Sequence, residues 1–326
     1  LYGSTNIAGI TKGMGSGFWH PENNPVSRLF SAGGIAEDAQ GGICSGIATM
    51  GHQIAVGSSY GAFIAPLNVI CAKTHGIGMQ TLRHRTPGET NKTFVVVCGH
   101  AGVKTGEDGP THAEPQALQV FQENFPGDVM ITLTPWDPNE LWPLTAEALL
   151  QRPAVLAPYV TRPSEVVVDR EALGLAPAEA SVKGVYKLLE ANGKPDATIV
   201  YQGSDVAYAF IKGVLPHLKD KGINLDVYYI SSVELFDRLP AEEREAIFPA
   251  SAAASAMMFS GFTKATTYRW VTSERGREFT HYPWVRGEFL GSGPGDVCLE
   301  QAGMHGDAQW DIIQKFIGDG RHLKAV

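Results

Sequence analysis

The sequence predicts an α/β protein made of two successive domains with mainly parallel sheets, on three observations. Short apolar or β-branched runs alternate with longer helical stretches along the whole chain, the pattern of parallel βα units. The run Val95 to Val97 reads as a buried parallel strand and empties into a loop rich in glycine, acid and histidine. The length, 326 residues, exceeds the usual single domain of about 100–200 residues.

Leu1-Tyr2-Gly3-Ser4 reads as the end of a strand whose beginning is missing, so a fragment or a processed product is expected. Gly3 to Gly17, and Trp19-His20-Pro21 after it, form irregular loop as far as Phe30. Gly33 to Gly51 is a turn feeding a small-residue helix, with Glu37 and Asp38 in its first turn. A strand is predicted from Ile54 to Ser58, then an apolar helix from Ser58 to Gly78 that puts Tyr60 and Phe63 on one face near its start. The next strand, Thr93 to Cys98, opens into the loop and turns through Gly109-Pro110 into a helix from Thr111 to Asn124. A strand from Val129 to Leu133, a helix from Pro138 to Leu150 and a strand from Ala154 to Ala157 complete a first domain over 1–163.

The polar, proline-punctuated stretch 164–195 reads as a linker, and 196–326 as the second α/β domain. There the pattern gives strands from Ala197 to Tyr201, Leu225 to Ile230 and Ala256 to Phe259. It gives a helix from Ser204 to Lys219 capped by Ser204 or Asp205, a helix starting between Ser231 and Arg238, a helical stretch from Lys264 to Val271 and a terminal helix from Asp307 to Ile317.

Hydrophobic content of 44% and charged content of 18% describe an ordinary globular chain. A net charge of -8 argues against a nucleic-acid or anionic-membrane surface. Pro66, Lys73 and His75 interrupt the best apolar run, so no membrane span is predicted, nor a signal peptide. Cys44, Cys71, Cys98 and Cys298 have no metal-ligand spacing and read as thiols of a reducing, cytoplasmic compartment.

The chemistry-bearing candidates follow from their settings. Loops at the carboxyl ends of parallel strands are where ligands sit, and this one offers His100 and His112 with Glu107 and Asp108 between them. Glu37 is either a helix-start carboxylate favoured by the macrodipole or a buried acid that must be paired or give up a proton. Tyr60 and Phe63 are core or the wall of an aromatic-ligand site, and Arg162, at a strand end, suits anion capture. Gly291 to Gly295 lacks the P-loop lysine and reads as a flexible loop, and no G-x-S-x-G elbow is present.

Gly106-Glu-Asp-Gly-Pro-Thr-His112, preceded by His100, resembles the pyrimidine-domain signature of the transketolases. Gly34-Ile-Ala-Glu37 resembles the segment with that superfamily's cofactor-activating glutamate, and Ser59-Tyr-Gly-Ala-Phe63 the segment whose aromatics surround the aminopyrimidine ring. Order and spacing agree from about Gly3 to Arg162, and the later half is similar to the family's C-terminal domain more loosely. The resemblance implies ketol transfer, a two-carbon unit moving between ketose and aldose, with thiamine diphosphate as cofactor. It implies that Glu37 bonds the N1′ nitrogen of the cofactor's pyrimidine and that Tyr60 and Phe63 hold the ring. His100 and His112 would contact donor oxygens, Asp108 a sugar hydroxyl, and Ser4, His100 and Arg162 the anion end of the channel.

Ala36 and Asp38 flank Glu37 where the family often has Arg and His, Pro66 replaces a ring-site aromatic, and the long loop from Gly287 to Gly303 has no family counterpart. The G-D-G…N pattern that holds Mg²⁺ or Ca²⁺ and the diphosphate is absent from this sequence, so no metal ligands are expected in it. The resemblance then implies a pyrophosphate-binding half, as a separate subunit or an N-terminal region, and a homodimer or heterotetramer with sites at subunit interfaces. Two other readings stay open: a related synthase similar to 1-deoxyxylulose-5-phosphate synthase, and a non-catalytic, partner-binding homologue.

Overall fold

The computed structural model describes residues 2–3, 22, 24–26, 36–51, 53–86, 88, 92–99, 101–104, 109–161, 163–291 and 293–324. Strands β1 (Tyr2–Gly3), β2 (Ala55–Tyr60), β3 (Phe94–Gly99), β4 (Met130–Leu133) and β5 (Val155–Pro158) form one sheet. Its order is β1-β2-β3-β5-β4 and every pair is parallel. Parallel sheets are covered on both faces, and β3 shows it. Val96 and Cys98 pack into a core shared with α1 (Glu37–Thr49) and α2 (Lys73–Arg85), whereas Val95 packs with Ile131, Leu156 and Leu144 on the other side. The helices α3 (Ala117–Phe121) and α4 (Pro138–Leu150) complete this half. Helix α4 begins and ends where the sequence places it, because Asp137 caps it by accepting from Asn139 N and Pro138 occupies its first turn.

The second sheet holds β6 (Val185–Leu189), β7 (Ala197–Gln202), β8 (Leu225–Ile230) and β9 (Ala256–Ser260) in the order β6-β8-β7-β9. Only β6 runs antiparallel to its neighbour. Around it lie α5 (Ser204–Gly213), α6 (Leu215–Lys221), α7 (Val233–Asp237), α8 (Ala241–Ile247), α9 (Ala250–Ser255), α10 (Glu274–Phe279), α11 (Gly295–Gln301) and α12 (Gly306–Lys324). Among the described residues no helix is long and apolar enough to cross a membrane.

Several elements differ from the sequence expectation, each for a local reason. The predicted helix from Ser58 is strand to Tyr60, because Ser58, Ser59 and Tyr60 pair in register with Val97, Cys98 and Gly99. A 3-10 turn (Gly61–Phe63), a helical turn (Ile64–Pro66) and a π turn (Leu67–Ala72) then lead into α2. The helix expected from Thr111 shrinks to α3, since Pro115 disfavours a helical Glu114, which instead bridges to Ala101. The helix expected from Ser204 to Lys219 divides before Pro216, which has no N–H to donate. Neither Ser204 nor Asp205 caps it. Gly203, at φ 116°, precedes the first turn, while Ser204 Oγ donates to Trp136 O at 2.7 Å. The stretch 164–195, read as linker, contributes β6 to the second sheet, and the loop from Gly287 to Gly303 contains α11. Lys264–Thr267 is a 3-10 turn.

The halves meet through shared apolar packing, with Val103, Ala113 and Trp136 in the core of the second half and Leu235 against Ile131, Leu133 and Leu144, and through buried polar bonds. Arg170 donates to Asp137 Oδ2 at 2.8 Å and Glu140 Oε1 at 2.9 Å, and its guanidinium lies 4.5 Å over the Trp136 ring. Tyr186 of β6 receives Trp136 Nε1 at 2.9 Å and donates to Glu140. Glu234 of α7 accepts Thr132 N, Thr132 Oγ1 and Glu123 N at 3.0, 2.6 and 3.1 Å. Burial pushes the Glu140 and Glu234 carboxyls above their ordinary range, and the surrounding donors draw both part of the way back.

Candidate active site

Glu37 opens α1 with Asp38 beside it, two acids in a first turn where the helix dipole favours negative charge. The side chain does not face water: the residue is 5% exposed, and Ser59 Oγ donates to its Oε1 at 2.8 Å. Glu37 thus stands at a helix start and is buried and paired as well. Ser59 is not among the sequence candidates, although it carries a signal. Along β2 the buried face carries Ala55, Gly57 and Ser59, and the lone hydroxyl there needs a partner.

One residue further, Tyr60 ends β2 opposite Gly99 of β3. Its ring centroid lies 6.1 Å from that of Phe63, which follows in the 3-10 turn. Both rings meet His112 edge-on, Tyr60 at 5.6 Å and Phe63 at 5.1 Å. The three form a half-buried aromatic wall at the carboxyl end of β2. His112 arrives there through a tight turn. Gly109 takes φ 85°, and its carbonyl accepts His112 N at 3.0 Å and Ala113 N at 3.2 Å. Thr111 Oγ1 and His112 Nδ1 stand 2.9 Å apart.

Glu37, Tyr60, Phe63 and His112 therefore come from three separate stretches and gather at one end of neighbouring parallel strands. Ser4, His100, Glu107, Asp108 and Arg162 lie outside the described residues. Thr161 and Pro163, on either side of position 162, line a cleft of about 400 Å³ with Trp136, Asp137, Glu165 and Ser204. Sequence reading also missed Lys104, a buried ammonium just beyond β3. It donates to Glu165 Oε1 at 2.8 Å, and the two side chains are 5% and 8% exposed.

The cysteines stand apart from this chemistry. All four are free thiols, and burial pushes Cys44 up to about 11, which keeps it protonated and unreactive.

A buried carboxylate and a wall of rings at the same strand end can hydrogen-bond and stack against a flat heteroaromatic ligand. Comparison with known proteins agrees in kind. Residues 8–159 match the family model described as the transketolase pyrimidine binding domain. A transketolase of Aquifex aeolicus is 28% identical over 279 residues, 83% of this chain and 35% of that protein. The solved transketolase of Leishmania mexicana has a TM-score of 0.72 at 18% identity, over 98% of this chain and 42% of that one. A Pichia stipitis transketolase solved in complex with sedoheptulose-7-phosphate gives 0.71 at 19% identity, over 99% and 43%. At such identities the structures establish the fold. The chain spans well under half the length of each of these relatives.

Proposed function

We propose, from the premise that residues 8–159 belong to the transketolase pyrimidine-binding family, that this chain supplies the pyrimidine half of a thiamine diphosphate site for ketol transfer. The observation that carries the reading is Glu37, a buried carboxylate bonded by Ser59, the residue just before the Tyr60 that joins Phe63 and His112 in a wall of rings. A ring nitrogen needing a hydrogen-bonded acid and a flat pyrimidine needing an aromatic wall both fit what is present. When bound, thiamine diphosphate supplies an ionisable carbon and an electron sink for the ketose carbonyl.

The chain's own residues do the rest. Glu37 holds a proton against the pyrimidine, and its burial removes competing water. Tyr60 and Phe63 fix the ring plane. With Thr111 beside Nδ1, His112 presents Nε2 to a donor oxygen. His100 and Asp108 contact donor hydroxyls, while Ser4, His100 and Arg162 receive an anionic end. A sugar phosphate fits that set, and the Pichia relative was solved with one. Magnesium and the diphosphate belong to a pyrophosphate-binding half, so the complete site forms at an interface in a homodimer of longer chains or in a heterotetramer. Four free thiols suit a reducing, cytoplasmic compartment.

The test is Glu37→Ala in the complete assembly, with a ketose phosphate and with pyruvate as donor. Ketol transfer should fall by about a thousandfold, within the range for a lost proton-transfer group, with the fold retained. Unchanged rates would refute the role. Preference for pyruvate would indicate the synthase, and absence of any cofactor-dependent rise in melting temperature would indicate a non-catalytic homologue.

A further inference from the structure

The loop that ends in His112 is gripped from the second half of the molecule by a carboxylate. Asp205, in the first turn of α5, is 1% exposed. Its Oδ2 accepts Val103 N at 2.7 Å from a residue 102 positions away, and its Oδ1 accepts Val206 N at 2.9 Å. Glycines surround it. A Cβ at Gly102 would lie 2.7 Å from Oδ2, one at Gly203 would lie 2.7 Å from Oδ1, and one at Gly261 would collide with Oδ1. Gly102 and Gly203 also adopt φ 84° and 116°, a conformation that disfavours side chains.

So tight an enclosure is more than a helix start needs, because a first-turn aspartate is equally content in water. Burial pushes the Asp205 carboxyl up, and the two amide donors and the nearby Lys104 ammonium draw it back. Lys104 adjoins Val103 and is itself held by Glu165, with Asp296 of α11 at 3.4 Å. Two consecutive residues of the loop are therefore fastened, one by its backbone and one by its side chain. Ala101, just before them, donates to Val160 O at 3.0 Å.

We propose that Asp205 is a positioning residue: by holding Val103 it fixes the stretch 101–104, which leads in sequence to the turn that presents His112 to the ketose donor. This rests on the donor-contact reading given above. Asp205 touches neither donor nor cofactor. The second half of the chain thereby acts on donor binding through one buried carboxylate.

Two variants of the complete assembly test it from opposite sides. Asp205→Asn keeps the size but offers one acceptor oxygen to two N–H donors. Gly102→Ala leaves the carboxylate intact and displaces the loop. In both, amides 101–104 should exchange with solvent at least about tenfold faster, since a buried hydrogen bond is lost or bent. The KM for the ketose donor should rise about tenfold, with kcat and thiamine diphosphate affinity within about twofold, the signature of lost donor binding rather than lost folding. Asp205→Glu, one methylene too long for the glycine enclosure, should not restore the wild-type KM. Unchanged exchange at 101–104 overturns the proposal, as does a parallel loss of kcat, donor binding and cofactor affinity. Should the wild-type assembly transfer no ketol group, the functional reading fails by itself, and the exchange measurement alone decides whether Asp205 holds the loop.

Discussion

The turn after β3 and the turn after β7 are made of the same materials, glycine and acid at the carboxyl end of a parallel strand. After β3 the chain leaves the sheet, makes its Gly109 turn and returns with His112 half exposed against Tyr60 and Phe63. After β7, Gly203 drives the chain directly into α5, and Asp205 turns inward until 1% of it is exposed. The first turn brings the half-exposed His112 ring to the candidate site. The second spends its polar group on another part of the protein. A strand's carboxyl end is thus a place where unpaired groups collect, and what they meet there decides between chemistry and architecture.

On that division, loss of Glu37 removes turnover and spares the fold, while loss of the Arg170 ion pairs does the reverse. Glu37→Ala should show the largest effect, the roughly thousandfold rate loss already stated, with a melting temperature no lower than wild type. Next comes Arg170→Ala, which strands Asp137 and Glu140 without their buried cation. Breaking such a pair costs about 3–5 kcal/mol, measured by denaturant unfolding, and turnover per folded molecule should stay unchanged. A stable Arg170→Ala protein would show that the junction is not held by these charges.

Arg162→Ala should raise KM about tenfold for phosphorylated donors and leave non-phosphorylated donors nearly unaffected. Equal losses for both donor types would remove the phosphate role. The smallest effect concerns pH. Burial holds the Glu234 carboxyl above its ordinary value of 4.5, so the folded state binds its proton more readily than the unfolded state does. Its contribution to stability is then fully present below 4.5 and is lost as pH rises through the higher folded value. Melting curves between pH 5 and 8 should show Glu234→Gln with a flatter pH dependence than wild type, by about 1 kcal/mol or less. A steeper curve in the variant would reverse the sign of this contribution.

What the sequence disclosed and what it hid separate by range. The β-branched run of β3, the capped start of α4 and the acidic first turn of α1 are local signals, read within a few residues. The signature from Gly106 to His112 is local too, and the turn that delivers His112 follows from Gly109-Pro110. The partners were hidden. Ser59 lies 22 residues from Glu37, Glu165 lies 61 from Lys104, and Val103 lies 102 from Asp205. Each has a role that exists only once distant stretches of the chain are side by side. Tyr60 shows the same limit in reverse, since its local context suited a helix and the ladder with β3 made it strand.

The junction around Arg170 has a further consequence, for synthesis. The first half emerges from the ribosome before its partner surface exists. The face it leaves waiting is mixed: Glu123, Thr132, Asp137 and Glu140 are groups that water satisfies well, whereas Val103, Ala113 and Trp136 belong to the apolar core of the second half. Its apolar part invites association with other nascent chains until it is covered. Its polar part stays hydrated until the second sheet is complete, and docking then buries the one and exchanges the water of the other for donors and acceptors across the junction.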